Sequence, residues 1–165
     1  MGTNKINIAV FGGGCFWGVE EDFHHLDGIL KTEVGYMGGD FKNPTYNAVC
    51  RGDTGHAEVV SITYDEKKLK YADLLNKFFE IHDPTQINMQ GPDIGEQYRS
   101  VIFYTTDQQK KIAESKIKEL DKSQKFKSKI ATQVLKAKEF YRAEEYHQQY
   151  LHKKGLTSCR FISRM

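Results

Sequence analysis

Apolar side chains recur at two spacings along this chain, and the spacings assign its elements. Ile6, Ile8 and Val10 fall two apart, which predicts a strand over residues 5–10. A helix is predicted over 15–27, ended by the Asp27-Gly28 turn. Strands are predicted over 29–36, 56–64 and 98–104. Between 71 and 82, Leu74, Leu75, Phe78 and Ile81 lie at helical core spacing, and Asp83-Pro84 stops the helix. A second long helix is predicted over 106–121, with Thr106 and Gln109 as a capping box and Ala113, Ile117 and Leu120 as its buried stripe. A last strand is predicted at 131–135 and a helical turn at 144–147. Residues 40–55 and 86–97 are rich in turn formers (Asn43, Pro44, Gly52, Gly55; Gly91, Pro92, Gly95) and predict long loops. Loops of that length in a compact domain are often functional. No repeat, low-complexity stretch or linker divides the chain, so one domain is expected over 1–165, with a basic tail at 153–165.

Composition narrows the function classes. The chain has 165 residues, 39% hydrophobic and 28% charged, the balance of an ordinary globule with a real core. A net charge of +2 is too small to suggest nucleic acid, and acids interrupt the lysines between Lys110 and Lys138, as on a solvated helix face. The start is polar and no apolar run approaches membrane-spanning length, so a cytoplasmic protein with no membrane partner is expected. Three cysteines, Cys15, Cys50 and Cys159, without a C-x-x-C pair argue against a secreted disulfide scaffold.

Candidate chemistry centres on Gly12-Gly13-Gly14-Cys15-Phe16-Trp17-Gly18, at a strand-to-helix turn. Unpaired backbone N–H groups and the positive end of the helix dipole converge there and stabilise a thiolate. Against this, free cysteines are commonly small buried hydrophobes, and a glycine-rich turn can cradle phosphate. The contiguous glycines match neither the Walker nor the dinucleotide spacing. On the third predicted strand Glu58 shares a face with Val60, Ile62 and Tyr64. Burial there would raise its pKa, as a general acid near neutral pH requires. Three chemistries compete. A metal site is the weakest, because His24 and His25 are adjacent and His56, His82, His147 and His152 are scattered. A cysteine hydrolase would need His56 or His147 as base. A thiol redox enzyme could use Cys15 as nucleophile, Glu58 as proton donor and Cys159 as second thiol, with Phe16 and Trp17 walling an apolar pocket. A non-enzymatic aromatic module that binds methionine-rich partners is a further alternative.

Gly14-Cys15-Phe16-Trp17-Gly18 resembles the active-site motif of the A-type peptide methionine sulfoxide reductases. Further blocks match in order: Pro44-Thr45-Tyr46 with Gly52-Asp53-Thr54-Gly55-His56-Ala57-Glu58, His82-Asp83-Pro84-Thr85-Gln86, Asp93-Ile94-Gly95 with Gln97-Tyr98-Arg99-Ser100, and Tyr146-His147-Gln148-Gln149-Tyr150. The resemblance implies an α+β fold: a two-layer α/β sandwich around a mixed β-sheet, a ferredoxin-like plait, with long active-site loops and an irregular C-terminal tail. It implies Cys15 as nucleophile, Phe16 and Trp17 as the pocket for the substrate's ε-methyl group, Glu58 as proton donor, Tyr46 and Tyr98 as hydrogen-bond donors to the sulfoxide oxygen, and Asp93 as support. The implied reaction reduces methionine-(S)-sulfoxide, free or in proteins, leaving a sulfenic acid on Cys15. No bound metal or cofactor is implied. The tail departs from the family's Asn-Pro-x-Gly-Tyr-Cys, since Lys154-Gly155-Leu156-Thr157-Ser158 precedes Cys159. Cys159 is expected to resolve the sulfenic acid, with thioredoxin as reductant. The alternative is a one-cysteine enzyme served directly by thioredoxin or by glutathione and glutaredoxin. Cys50 is expected to be a small buried residue.

Overall fold

A computed structural model describes residues 5–156. Cys159 lies outside the described residues, and with it the role expected of that thiol. The chain runs β1 (Ile6–Gly12), α1 (Phe16–His24), β2 (Ile29–Met37), α2 (Tyr46–Cys50), β3 (Ala57–Asp65), α3 (Tyr71–Ile81), β4 (Met89–Gln90), β5 (Asp93–Ile94), β6 (Val101–Tyr104), α4 (Asp107–Ser123), β7 (Gln133–Lys136), β8 (Tyr141–Arg142) and α5 (Tyr150–Lys153). Short 3-10 turns stand at Glu96–Tyr98 and Glu145–His147.

Six strands form one sheet in the order β7-β6-β1-β3-β2-β8, and β4 and β5 form a separate hairpin. The β6–β7 pair is parallel and the other neighbours are antiparallel, so the sheet is mixed. The central strands are buried on both faces. On one face Phe11 stacks between Phe23 and Phe78, at centroid distances of 5.7 and 4.8 Å, in a cluster that also takes in Val34, Ile62, Leu74 and Ile102. On the other face Val10, Met37, Val59 and Phe103 are covered by Ala137 and Phe140. Apolar burial of this kind is the main stabilising term of the fold.

Several sequence expectations shift. On β1 the alternating Ile6 and Ile8 are 51% and 45% exposed, while Ala9 and Phe11 fill the main core. The face that carries Ile6, Ile8 and Val10 is covered only near Val10, whereas Ala9 and Phe11 on the opposite face pack into the main core. The stretch 40–55 is not structureless. It holds α2, whose first turn is capped by Thr45: its Oγ1 accepts the Ala48 N–H at 3.1 Å. The stretch 86–97 holds the β4–β5 hairpin and a 3-10 turn that takes in Tyr98, so β6 begins three residues later than expected. The capping interaction of α4 is displaced by one residue: Thr106 Oγ1 accepts the Gln109 N–H, but the Gln109 side-chain Oε1 accepts the N–H of Thr105 at 2.8 Å. Among the described residues no helix is long and apolar enough to cross a membrane.

Candidate active site

Sterics explain the glycines that lead to Cys15. A Cβ on Gly12 would stand 2.9 Å from Val101 Cγ1 and 3.0 Å from the Glu58 carbonyl, and Gly14 has φ +100°. Glycine alone takes both positions without strain. The sharp exit from β1 sets Cys15, half-buried, as the residue that caps α1. The first N–H groups of α1 point out beside it without intrahelical partners. One of them, Phe16 N–H, donates to Glu58 Oε1 at 3.1 Å.

That hydrogen bond joins two segments 42 residues apart and fixes the acid beside the thiol. Glu58 is 1% exposed. Burial is the first cause that raises its pKa well above the ordinary carboxyl value, and negative charge on Cys15 and Asp93 adds to it, against the opposing pull of the Phe16 N–H. Its second oxygen, Oε2, is buried and has no hydrogen-bond partner among the described residues. One oxygen of the carboxyl is thus anchored and the other unspent.

Two phenols stand in the same electrostatic neighbourhood. Burial first, and the Glu58 charge second, raise the pKa of both Tyr46 and Tyr98, so each remains a donor at physiological pH. Tyr46 opens α2, and its backbone N–H donates to Glu144 Oε2 at 3.1 Å. The other oxygen of Glu144 accepts the Tyr36 hydroxyl, also at 3.1 Å. Asp93, on β5, is partly buried, which raises its pKa. Cys50 ends α2 one turn after Tyr46 and hydrogen-bonds with it. It is exposed rather than buried, because α2 turns its Ala48 and Val49 inward and leaves its last residue at the surface.

Phe16 and Trp17 diverge. Phe16 is 1% exposed, and its ring packs among Tyr36, Tyr46 and His147. Trp17 lies flat on Tyr150 at 3.9 Å, and its Nε1–H donates to His147 Nδ1 at 2.9 Å. An open groove of about 930 Å³ runs over this site, lined by Gly13, Cys15, Trp17, Gln90, Asp93 and Phe126 among others. Trp17 thus lines the groove, while Phe16 does not and is buried among its aromatic neighbours.

The two histidines weighed as a base, His56 and His147, are each held by other groups. Nδ1 of His56 accepts the Gly39 N–H at 3.0 Å and its Nε2 contacts the Phe41 carbonyl at 2.6 Å, so both ring nitrogens are spent holding the β2–β3 connection. Nδ1 of His147 accepts the Trp17 Nε1–H, while its buried Nε2 has no hydrogen-bond partner among the described residues. His82 lies between the Phe78 carbonyl and Ser100 Oγ, and burial lowers its pKa to about 4. Supports that sequence reasoning did not assign are Glu144 for Tyr36 and Tyr46, and, for Trp17, Tyr150 together with His147, which was weighed there only as a base. The last two sit in the Tyr146–Tyr150 block; Glu144 gave no separate signal.

The fold thus brings together a half-buried thiol on a helix start, a buried acid whose pKa is raised, and two phenols in the same electrostatic neighbourhood. Residues 7–165 match the family model described as peptide methionine sulfoxide reductase. The chain is 55% identical over 159 residues to the enzyme MsrA of Methanothermobacter thermautotrophicus, a match that covers 96% of this chain and 94% of that one. It is 54% identical over 158 residues to MsrA of Methanoculleus marisnigri, covering 96% of each. Among solved structures, reduced Mxr1 from Saccharomyces cerevisiae superposes with a TM-score of 0.85 at 40% identity, over 92% of this chain and 87% of that one. Methionine sulfoxide reductase A of Corynebacterium diphtheriae gives 0.83 at 38% identity, over 96% and 79%. The chain belongs to the A-type peptide methionine sulfoxide reductase family.

Proposed function

We propose the following division of labour for the reaction that family membership gives this protein, reduction of methionine-(S)-sulfoxide to methionine. The Cys15 thiolate attacks the sulfoxide sulfur while Glu58 passes a proton from Oε2 to the sulfoxide oxygen. Tyr46 and Tyr98 donate hydrogen bonds to that oxygen, and Asp93 supports the site from β5. The oxygen passes to Cys15, which becomes a sulfenic acid; the substrate sulfur gains the two electrons that Cys15 loses, and methionine leaves. Trp17 forms the wall for the ε-methyl group and Phe16 holds that wall from behind. The electrons come from thiols, so the scheme uses no bound metal or cofactor. Cys159 then attacks the sulfenic sulfur, water leaves, and the disulfide formed is reduced by thioredoxin. Yeast Mxr1 has been solved in complex with Trx2, and that chain aligns with this one at 28% identity and a TM-score of 0.63, which supports a reductant of the thioredoxin type here. Glutathione with glutaredoxin is the alternative reductant, and the cytoplasm the compartment that suits both. The path β1-α1-β2-β3-α3-β6, with sheet order β6-β1-β3-β2 inside the larger sheet, supports reading the core as a two-layer ferredoxin-like plait.

The observation that carries the mechanism is the Glu58 carboxyl, buried, tied by one oxygen to the residue after Cys15 and unspent at the other. The experiment is a single turnover without reductant. Stoichiometric methionine should form as Cys15 gains one oxygen or enters a disulfide, read by mass spectrometry. Methionine formed by Cys15→Ser, or formed while Cys15 stays reduced, overturns the scheme.

A further inference from the structure

We propose that Glu21, His25 and His152 form a binding site for a borderline divalent cation of the zinc type, which fastens α5 to α1. One ligand atom from each of the three lies within 4.8 Å of the other two. Glu21 and His25 are one helical turn apart on the last stretch of α1, with Glu21 Oε1 and His25 Nε2 2.7 Å apart. His152 comes from α5, far along the chain, and its ring centroid stands 6.1 Å from that of His25. His24 stands at 5.1 Å from both, a fourth imidazole beside the cluster. None of the three proposed ligands lines the groove that holds Cys15.

The chemistry of the set is specific. Two neutral imidazoles and a carboxylate are nitrogen and oxygen donors of the kind that zinc and its transition-metal neighbours prefer, and they leave a fourth position for water. Metal–ligand bonds of about 2.0–2.2 Å require donor atoms roughly 3.3 Å apart in a tetrahedral site. The His25 and His152 side chains are exposed and therefore free of tight packing that would hold their rings against adjustment to that spacing. Glu21 forms the floor, with its side chain 6% exposed, while the His25 side chain, 60% exposed, leaves a path from solvent. A helix ion pair accounts for Glu21 with His25, but not for the convergence of His152 on the same point from another element.

The position gives such an ion a consequence. α5 has four residues and buries only Leu151. Two pins hold its start: Glu20 Oε1 accepts the Gln149 N–H at 2.6 Å, and Tyr150 stacks on Trp17. An ion bound by Glu21, His25 and His152 would be a third pin between the same two helices, and it would stabilise the folded state by mass action.

The test uses the full chain with its thiols capped as mixed methyl disulfides, so that cysteine cannot bind metal. Titration with Co²⁺, followed by displacement with Zn²⁺, should show one saturable site per chain with the visible absorption of a nitrogen- and oxygen-ligated ion. His25→Ala and His152→Ala should each weaken it at least tenfold, with far-ultraviolet circular dichroism unchanged. Zn²⁺ should raise the wild-type melting temperature and not that of His152→Ala. Absence of a saturable site at millimolar metal, or equal binding by wild type and His152→Ala, overturns the proposal.

Discussion

At the scale of the residue, Glu58 is where fold and chemistry pull against each other. Its carboxyl holds its proton far above the range of an exposed glutamate, because burial and the neighbouring negative groups disfavour the charge. A folded-state pKa above the unfolded one means that the native state binds the extra proton across the intervening pH window. Stability therefore falls as pH rises from the unfolded value of about 4.3 toward the raised native value, and is flat above it. Glu58→Gln keeps an oxygen to accept the Phe16 N–H and removes the titration. We expect this variant to match the wild type in melting temperature at acid pH and to exceed it increasingly as pH rises. Its kcat should drop by about 10²–10⁴-fold, the usual loss of a general acid. The wild-type rate should fall as pH passes upward through the native pKa of Glu58. A variant that stays active and shows the same pH profile would remove Glu58 from the chemistry.

At the scale of the element, the site is shared between the nine-residue α1 and β3 and several short elements, and the short ones were the hardest to read from sequence. The parity of β3 was legible because a strand of nine residues repeats its pattern, and Glu58 with Val60, Ile62 and Tyr64 is buried as that parity requires. The Gly12–Gly18 turn was legible because glycines and an aromatic pair punctuate it. α2, the β4–β5 hairpin and α5 were not, since five, two and four residues are too few to establish a period. Their order comes from tertiary contacts: Glu144 under Tyr46, and Trp17 against Tyr150. Two substitutions test these small elements. Thr45→Ala removes the cap of α2, with a stability loss of about 0.5–2 kcal/mol, and should lower kcat by displacing Tyr46; Thr45→Asp should keep both. Tyr150→Ala removes a ring stack worth about 0.5–1.5 kcal/mol, and should raise KM roughly 2- to 10-fold while single-turnover oxidation of Cys15 persists at saturating substrate. Unchanged KM would show that the stack does not set the Trp17 wall.

At the scale of the whole molecule, the site exists only when distant parts of the chain meet. Phe16 binds Glu58 across 42 residues, and Trp17 binds His147 across 130. The last of these contacts also determines where the C-terminal segment starts. α5 is held beside Trp17, two residues from Cys15, and Cys159 follows Tyr150 by nine residues. A disulfide needs the two Cα atoms within roughly 4.4–6.8 Å, so a resolving role requires Cys159 to come within that distance of Cys15. The kinetics should then separate in a definite way. Cys159→Ser should form methionine in the first turnover at the wild-type rate, since Glu58 and the phenols are untouched, and Cys15 should accumulate as sulfenic acid. Steady-state turnover with thioredoxin should collapse, because no disulfide is presented to it. Turnover with a small dithiol should persist, because such a reductant enters the open groove and attacks the sulfenic sulfur itself. If Cys159→Ser turns over with thioredoxin as fast as the wild type, Cys15 is regenerated without a second thiol from the tail, and the one-cysteine scheme replaces the resolving one.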